Sequence, residues 1–310
     1  MMIIKDIVIL LVSIIVIGKG AFWLVDAAAR VAKHFGISEL VIGLTVVAFG
    51  TSAPEFGVTI LAAIQGMGDI SVGNIVGSNI FNLGFILGGT AIIHNLKTSR
   101  SIVYRDGIFL LFGGILLSVF LWDLTLSKIE GIVLFTLLVL YLLYLYINKE
   151  TIETEEPTHA MYRWDPILLF VGIGMVLVGS YFLVDSAVNI AGRMGVSKWV
   201  IGTTIIAAGT SAPEFATSLA AAKRSRYGMS VGNLIGSDIF NLFGVLGIAG
   251  IMRDLSVDPD AHIHINLIIL SFMIAVVLIF MRTGWVVSRK EGIILVMIGL
   301  LRWIYSFSYS

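Results

Sequence analysis

The hexapeptide Gly-Thr-Ser-Ala-Pro-Glu occurs twice in this chain, at 50–55 and again at 209–214. Both copies lie inside long apolar runs, and this placement constrains the chain more than any other feature. A carboxylate in hydrocarbon is expensive and marks a functional site by default. A proline within a membrane helix removes one N–H and crowds the carbonyl four residues back, here Gly50 or Gly209. Each motif therefore offers freed carbonyl oxygen, a Thr and a Ser hydroxyl, and one negative charge. Hard cations prefer that set of oxygens.

Of the 310 residues, 58% are hydrophobic and 13% charged, and the mean hydropathy is +0.99. Soluble domains are closer to half apolar and a quarter charged, so the composition predicts a polytopic membrane protein with the bilayer as its main partner. The zero net charge gives no reason to expect a nucleic-acid partner. The absence of cysteine excludes disulfides, thiolate metal sites and thiol catalysis. Lys5 followed by an apolar run and Ala27-Ala28-Ala29 looks like a secretory leader, but the same region has a counterpart in the second half, so a membrane helix is predicted.

Ten spans are predicted, near 3–31, 39–66, 70–94, 102–121, 128–148, 166–192, 198–222, 229–251, 263–281 and 291–307. They are too long for the ~10-residue alternating strands of a membrane barrel. The one strongly polar linker, 149–163, is a solvated loop too short to be a domain. A shift of 159 positions lays the first half on the second without a gap from Gly20 to Gly88. SVGNIVGSNIFNLG at 71–84 then falls on SVGNLIGSDIFNLF at 230–243. Residues 1–148 and 164–310 thus form two five-span repeats. Five is odd, so the second must enter the membrane inverted, a pattern found in transporters. Lys and Arg concentrate in the loops after spans one, three, five, seven and nine, which predicts that those loops, including 149–163, are cytoplasmic and both termini outside.

Glu55 and Glu214 sit about halfway along spans two and seven, where inverted repeats bring equivalent positions together. Two carboxylates there need counter-charge, which a dehydrated Ca²⁺ or two or three Na⁺ supply. The competing reading is a protonated glutamate or one paired with a structural Lys or Arg. Lys19 is the basic residue well inside a span, and Val178 takes its place in the second half. Asn74, Ser78 and Asn82 are four apart and share a helix face, as do Asn233, Ser237 and Asn241. Amide and hydroxyl oxygens complete a Ca²⁺ shell without adding charge, so Ser78, Asn82, Ser237 and Asn241 are expected to line the site. Asp238, opposite Asn79 in the repeat, projects about 100° from that face and is a weaker candidate. Asp26 and Asp185 are a matched pair expected to cap or to make interfacial pairs, Asp26 with Arg30.

GTSAPE on spans two and seven, with Gly-Asn-x-x-Gly-Ser-x-x-x-Asn on spans three and eight, resembles the calcium/cation antiporter superfamily. The likeness is strongest to its prokaryotic sodium/calcium exchanger branch. The proton-coupled calcium branch usually has Gly-Asn-x-x-Glu in place of GTSAPE, which tilts the expectation to Na⁺. The resemblance implies an all-α protein of ten helices in two inverted five-helix repeats, broken at the midplane, with spans one and six sliding past the rest. It implies ligands from the Ala48 and Thr51 carbonyls, Ser52, Glu55, Ser78 and Asn82, and from Ala207, Thr210, Ser211, Glu214, Ser237 and Asn241. Some members, including potassium-dependent ones, carry Asp at the position of Asn241. Its absence here argues against K⁺ co-transport and leaves two central charges instead of three.

The expected activity is exchange of Na⁺ for Ca²⁺ by alternating access across the plasma membrane, with both ions as substrates and no cofactor. Proton/calcium exchange on the same scaffold is the rival, followed by a passive cation channel. An enzyme is disfavoured: no deep His accompanies Ser52 or Ser211, and Gly-Met-Gly-Asp at 66–69, superficially like an aspartyl membrane protease, has Asp69 in a loop. The acidic segment 254–264 is read as an ordinary solvated loop.

Overall fold

A computed structural model describes residues 2–148, 160–195, 207–258 and 262–308. Two long helices, α1 (Met2–Phe35) and α7 (Asp165–Arg193), pack along each other. They run antiparallel, because the C-terminal part of α1 meets the start of α7. Arg30 grips Asp165 through two parallel N–H···O bonds of 2.8 and 2.9 Å, and at the other end Arg193 meets Asp6 at 2.7 Å. Between these ends the backbones approach closely: a Cβ on Gly172 would lie 2.9 Å from the Gly20 carbonyl oxygen. Small residues at such crossings are how helices associate without a hydrophobic drive between them.

The first motif breaks a span. Ser38 caps α2 (Glu39–Thr51) by accepting from Val41 N, and α2 meets α3 (Ala53–Gln65) at an angle of 52°. The break falls at Ser52, whose ψ of 10° leaves the helical region, and Pro54 stands in the first turn of α3, where its missing N–H is tolerated. Gly66, at φ +79°, ends α3. The second motif repeats the arrangement: α8 (Ala207–Thr210) and α9 (Ala212–Lys223) are separated at Ser211, with Pro213 opening α9.

The remaining helices are α4 (Gly68–Ile93), α5 (Ile102–Asp123), α6 (Lys128–Ile147), α10 (Tyr227–Met252), α11 (Ile263–Arg282) and α12 (Arg289–Ser308). Helices α4 and α10 are the most enclosed, whereas α1, α6 and α7 turn much of their apolar surface outward. Inside each of the two enclosed helices is one π-helical turn, at Asn82–Leu87 and Phe240–Val245. α6 and α12 begin alike: Glu130 accepts from the backbone N of Ser127, and Glu291 from that of Ser288, at 2.7 Å each. Short antiparallel strand pairs tie the halves together, β1 (Leu96–Lys97) with β4 (Val286–Val287) and β2 (Thr125–Leu126) with β3 (Leu255–Ser256).

Among the described residues seven helices are individually long and apolar enough to cross a membrane, and α2 with α3 makes an eighth if counted as one bent span. The chain is therefore an all-helical, multi-pass membrane protein. Residues 198–206 of the predicted seventh span, and 149–159 of the polar linker, lie outside the described residues. The predicted tenth corresponds to α12, whose Arg289, Lys290, Glu291 and Arg302 lower its apolar character. One expected pairing is corrected. Asp26 takes Arg224 at 3.0 Å instead of Arg30, because Arg30 is already held in a fork by Asp165 and the end of α9 brings Arg224 over α1. Asp185 accepts from Asn189 one turn on. Asp69 is structural, accepting the Asp258 N–H at 2.6 Å.

α6 crosses α10 where Gly131 faces Gly247 and Gly250; a Cβ on Gly131 would come within 2.7 Å of Ile251 N. Gly131→Val is expected to destabilise the fold by about 1–3 kcal/mol through overpacking. The check is its melting temperature in detergent, and a native value would show that the crossing is loose.

Candidate cation-binding site

The two breaks meet in the middle of the molecule. α3 packs against the π-helical turn of α10, α9 packs against that of α4, and α8 also touches α4. A π turn widens the helix locally and is common at functional sites. Asn82 opens one such turn and Asn241 lies in the other.

Glu55 and Glu214 are fully buried. Each is held by the serine of the opposite motif: Ser52 Oγ donates to Glu214 Oε1 and Ser211 Oγ to Glu55 Oε1, both at 3.0 Å. Crossed pairs of this kind require the two motifs to face one another. Neither glutamate has a Lys or Arg partner among the described residues, and Lys19 is exposed on α1. The reading of these glutamates as structural salt-bridge partners is therefore unsupported.

Two asparagines brace the motifs from behind. Asn74 donates to Thr59 Oγ1 at 3.0 Å and to the Glu55 carbonyl at 3.4 Å; Asn233 donates to Ser218 Oγ at 2.9 Å and to the Glu214 carbonyl at 3.4 Å. Thr51 Oγ1 donates to Asn233 Oδ1 and to the Ala48 carbonyl, each at 3.2 Å. Thr210 is half-buried, and Ala207 contributes the first residue of α8.

Asn82 and Asn241 reach across to the other half. Asn82 Nδ2 donates to Asp238 Oδ1 at 2.9 Å, and Asn241 Nδ2 donates to Asn79 Oδ1 at 3.0 Å and to Ser78 Oγ at 3.4 Å. Six fully buried oxygens here have no donor among the described residues: Glu55 Oε2, Glu214 Oε2, Asn82 Oδ1, Asn241 Oδ1, Ser237 Oγ and Asp238 Oδ2. Buried polar atoms normally find partners. A concentration of acceptors without donors, three of them on carboxylates, suits positive guests.

Asp238 is the residue that helix-face reasoning undervalued. The 100° argument treated α10 alone, whereas α10 lies beside α4, so a side chain off the Ser237–Asn241 face meets Asn82 of the neighbouring helix. Asn79 escaped attention for the same reason. The usable signal was in the repeat: this position is polar in both copies, inside otherwise apolar helices. Beside the two glutamates, a third carboxyl group is therefore buried among the same side chains.

Broken helices and a buried, acceptor-rich centre inside an apolar helical shell define a membrane protein with a candidate cation site at its core. Comparison with known proteins narrows the class. Residues 5–147 and 164–304 match the sodium/calcium exchanger protein family. The sodium/calcium exchanger MaX1 of Methanosarcina acetivorans is 31% identical, over 96% of this chain and 97% of that protein. The putative antiporter CaxA of Alkalimonas amylolytica is 34% identical over 93% of this chain and 94% of its own length. A solved structure of the sodium-calcium exchanger NCX_Mj, soaked with Na⁺ and Ca²⁺, superposes with a TM-score of 0.84 at 33% identity, covering 96% of this chain and 97% of that one. The chain belongs to the sodium/calcium exchanger family, a family of transporters and not of enzymes.

Burying two carboxylates side by side costs stability that a fold without a guest would not carry. In a cation-free buffer Glu214→Gln is expected to melt higher than the native protein by about 2–4 °C for each kcal/mol relieved. Thermal unfolding followed by intrinsic fluorescence reads this directly. A lower melting temperature would show that the ionised pair holds the fold together without a guest.

Proposed function

We propose that the chain exchanges Na⁺ for Ca²⁺ across the plasma membrane by alternating access, with both ions bound between Glu55 and Glu214. The observation that carries this is the crossed Ser–Glu pairing, which leaves one buried oxygen of each glutamate without a donor among the described residues. The ligands are the Ala48 and Thr51 carbonyls, Ser52, Glu55, Ser78 and Asn82, with Ala207, Thr210, Ser211, Glu214, Ser237 and Asn241 from the second half. The names of MaX1 and NCX_Mj support the choice of ions.

Ca²⁺ neutralises both glutamates at once, and Na⁺ ions displace it by taking oxygens that share those carboxylates. Competition for the same ligands produces the coupling. An empty site keeps its buried charges uncompensated, which costs several kcal/mol per ion in a dry interior, so it resists closure and the chain does not leak.

The scaffold for this is two five-span repeats, 1–148 and 164–310, inserted in opposite directions and joined by a cytoplasmic linker at 149–163. Two observations support it. α1 and α7 are repeat counterparts and run antiparallel, which inversion demands. The strand pairs supply a parity argument. If the segment ending in α9 crosses the membrane, six crossings separate β1 from β4 and four separate β2 from β3, so each pair can form on one side. Without that crossing both counts are odd and neither pair could form. With the bent α2–α3 pair and α12 each also crossing once, the total is ten, and the Lys and Arg distribution supports both termini lying outside.

Uptake of ⁴⁵Ca into proteoliposomes is expected when Na⁺ is higher inside than out, and not when a pH gradient alone is imposed. Uptake driven by pH alone would replace Na⁺ with H⁺ as the coupling ion. Glu55→Gln and Glu214→Gln are each expected to abolish uptake while eluting as folded protein; transport retained by either variant would remove that glutamate from the ligand set.

A further inference from the structure

The side chains of Asn82 and Asn241 can each turn either an oxygen or an NH₂ group toward the site, and only the oxygen is of use to a cation. The atoms on their far side decide which. For Asn82 that atom is Asp238 Oδ1, which accepts from Nδ2 at 2.9 Å. Turning the amide over would set oxygen against oxygen. For Asn241 the control runs through Asn79. The main-chain carbonyl of Asp238 accepts from Asn79 Nδ2 at 3.1 Å, and a carbonyl has no hydrogen to give. Asn79 must therefore present Oδ1 to Asn241, whose Nδ2 donates to it at 3.0 Å. Both asparagines end with Oδ1 fully buried and without a donor among the described residues.

We propose that Asp238 is the positioning residue of the cation site: through its side chain it turns the Asn82 amide, and through its backbone and Asn79 the Asn241 amide, so that both oxygens face the ions. This rests on the assignment of the site as a cation site and adds to it a residue outside the ligand set. The two halves do the same job differently. Asn79, at the matching place, accepts from Asn241 with an amide oxygen, whereas Asp238 accepts from Asn82 with a carboxylate oxygen. An amide oxygen is thus sufficient for the task, and this predicts which substitution at 238 is tolerated.

The test is the apparent Ca²⁺ affinity of the purified full chain in proteoliposomes, from Na⁺-driven ⁴⁵Ca uptake against external Ca²⁺. Asp238→Ala frees the Asn82 amide and should weaken the affinity roughly 10- to 100-fold, the usual cost of removing a partner that orients a metal ligand. Asp238→Asn restores the acceptor and should bring the affinity back to within about threefold of native. In an Asn82→Ala background, Asp238→Ala should have little further effect, because coupled residues are not additive. Should the alanine variant fail to elute as a monodisperse species, Asp238→Leu fills the same space without an acceptor and takes its place.

An asparagine variant as weak as the alanine one would overturn the proposal, since charge and not acceptor geometry would then matter. So would an alanine variant of native affinity, or full additivity with Asn82→Ala. Failure of the native chain to take up Ca²⁺ under a Na⁺ gradient would instead remove the exchange reading itself.

Discussion

Negative charge in a dry interior is the constraint from which the rest of this structure follows. Glu55 and Glu214 are completely enclosed, each satisfied on one oxygen by a serine from the opposite motif and on the other by no described residue. A carboxylate removed from water needs compensation, and an ion that comes and goes supplies it only part of the time. Such a site must be held together by something other than its own attraction. Here the holding is done by backbone breaks that release polar groups, by asparagines that pin the motif carbonyls from behind, and by helix crossings too close for side chains larger than hydrogen.

The layout separates an enclosed centre from a peripheral helix pair. α4 and α10 form the enclosed centre, and the strand pairs lock loops of one half to loops of the other. α1 and α7, by contrast, are joined to each other at both ends by ion pairs, Arg30 with Asp165 and Arg193 with Asp6. Two helices tied to each other in this way form one unit beside the centre. The Asp26–Arg224 contact, from α1 to the end of α9, is a more exposed link between that unit and the rest. Exposed pairs of this kind hold weakly, by about 1 kcal/mol or less.

The centre is symmetric in geometry and asymmetric in chemistry. The crossed serine–glutamate bonds recur 159 positions away, as do the bonds of Asn74 to Thr59 and of Asn233 to Ser218. The exception is the pair Asn79 and Asp238, where one half uses an amide and the other a carboxylate. A third buried carboxyl group thus stands against Asn82 in one half, where the other half sets an amide against Asn241.

Much of this was already legible in the residues. The doubled GTSAPE motif, the apolar runs and the 159-position shift were enough to predict a helical membrane protein with two central glutamates, because burying a charge or a proline in hydrocarbon is costly enough to leave a mark in one dimension. Asn82 and Asn241 were legible for the same reason. What one chain read in order could not show is which residues of one half meet those of the other. Face reasoning places a side chain relative to its own helix axis and is silent on the neighbour, so it set Asp238 aside and paired Asp26 with the arginine nearest in sequence. Only the packing of α4 against α10, and of α9 against α1, decided those partners, since contacts between distant segments depend on where the backbones cross and not on spacing along either of them.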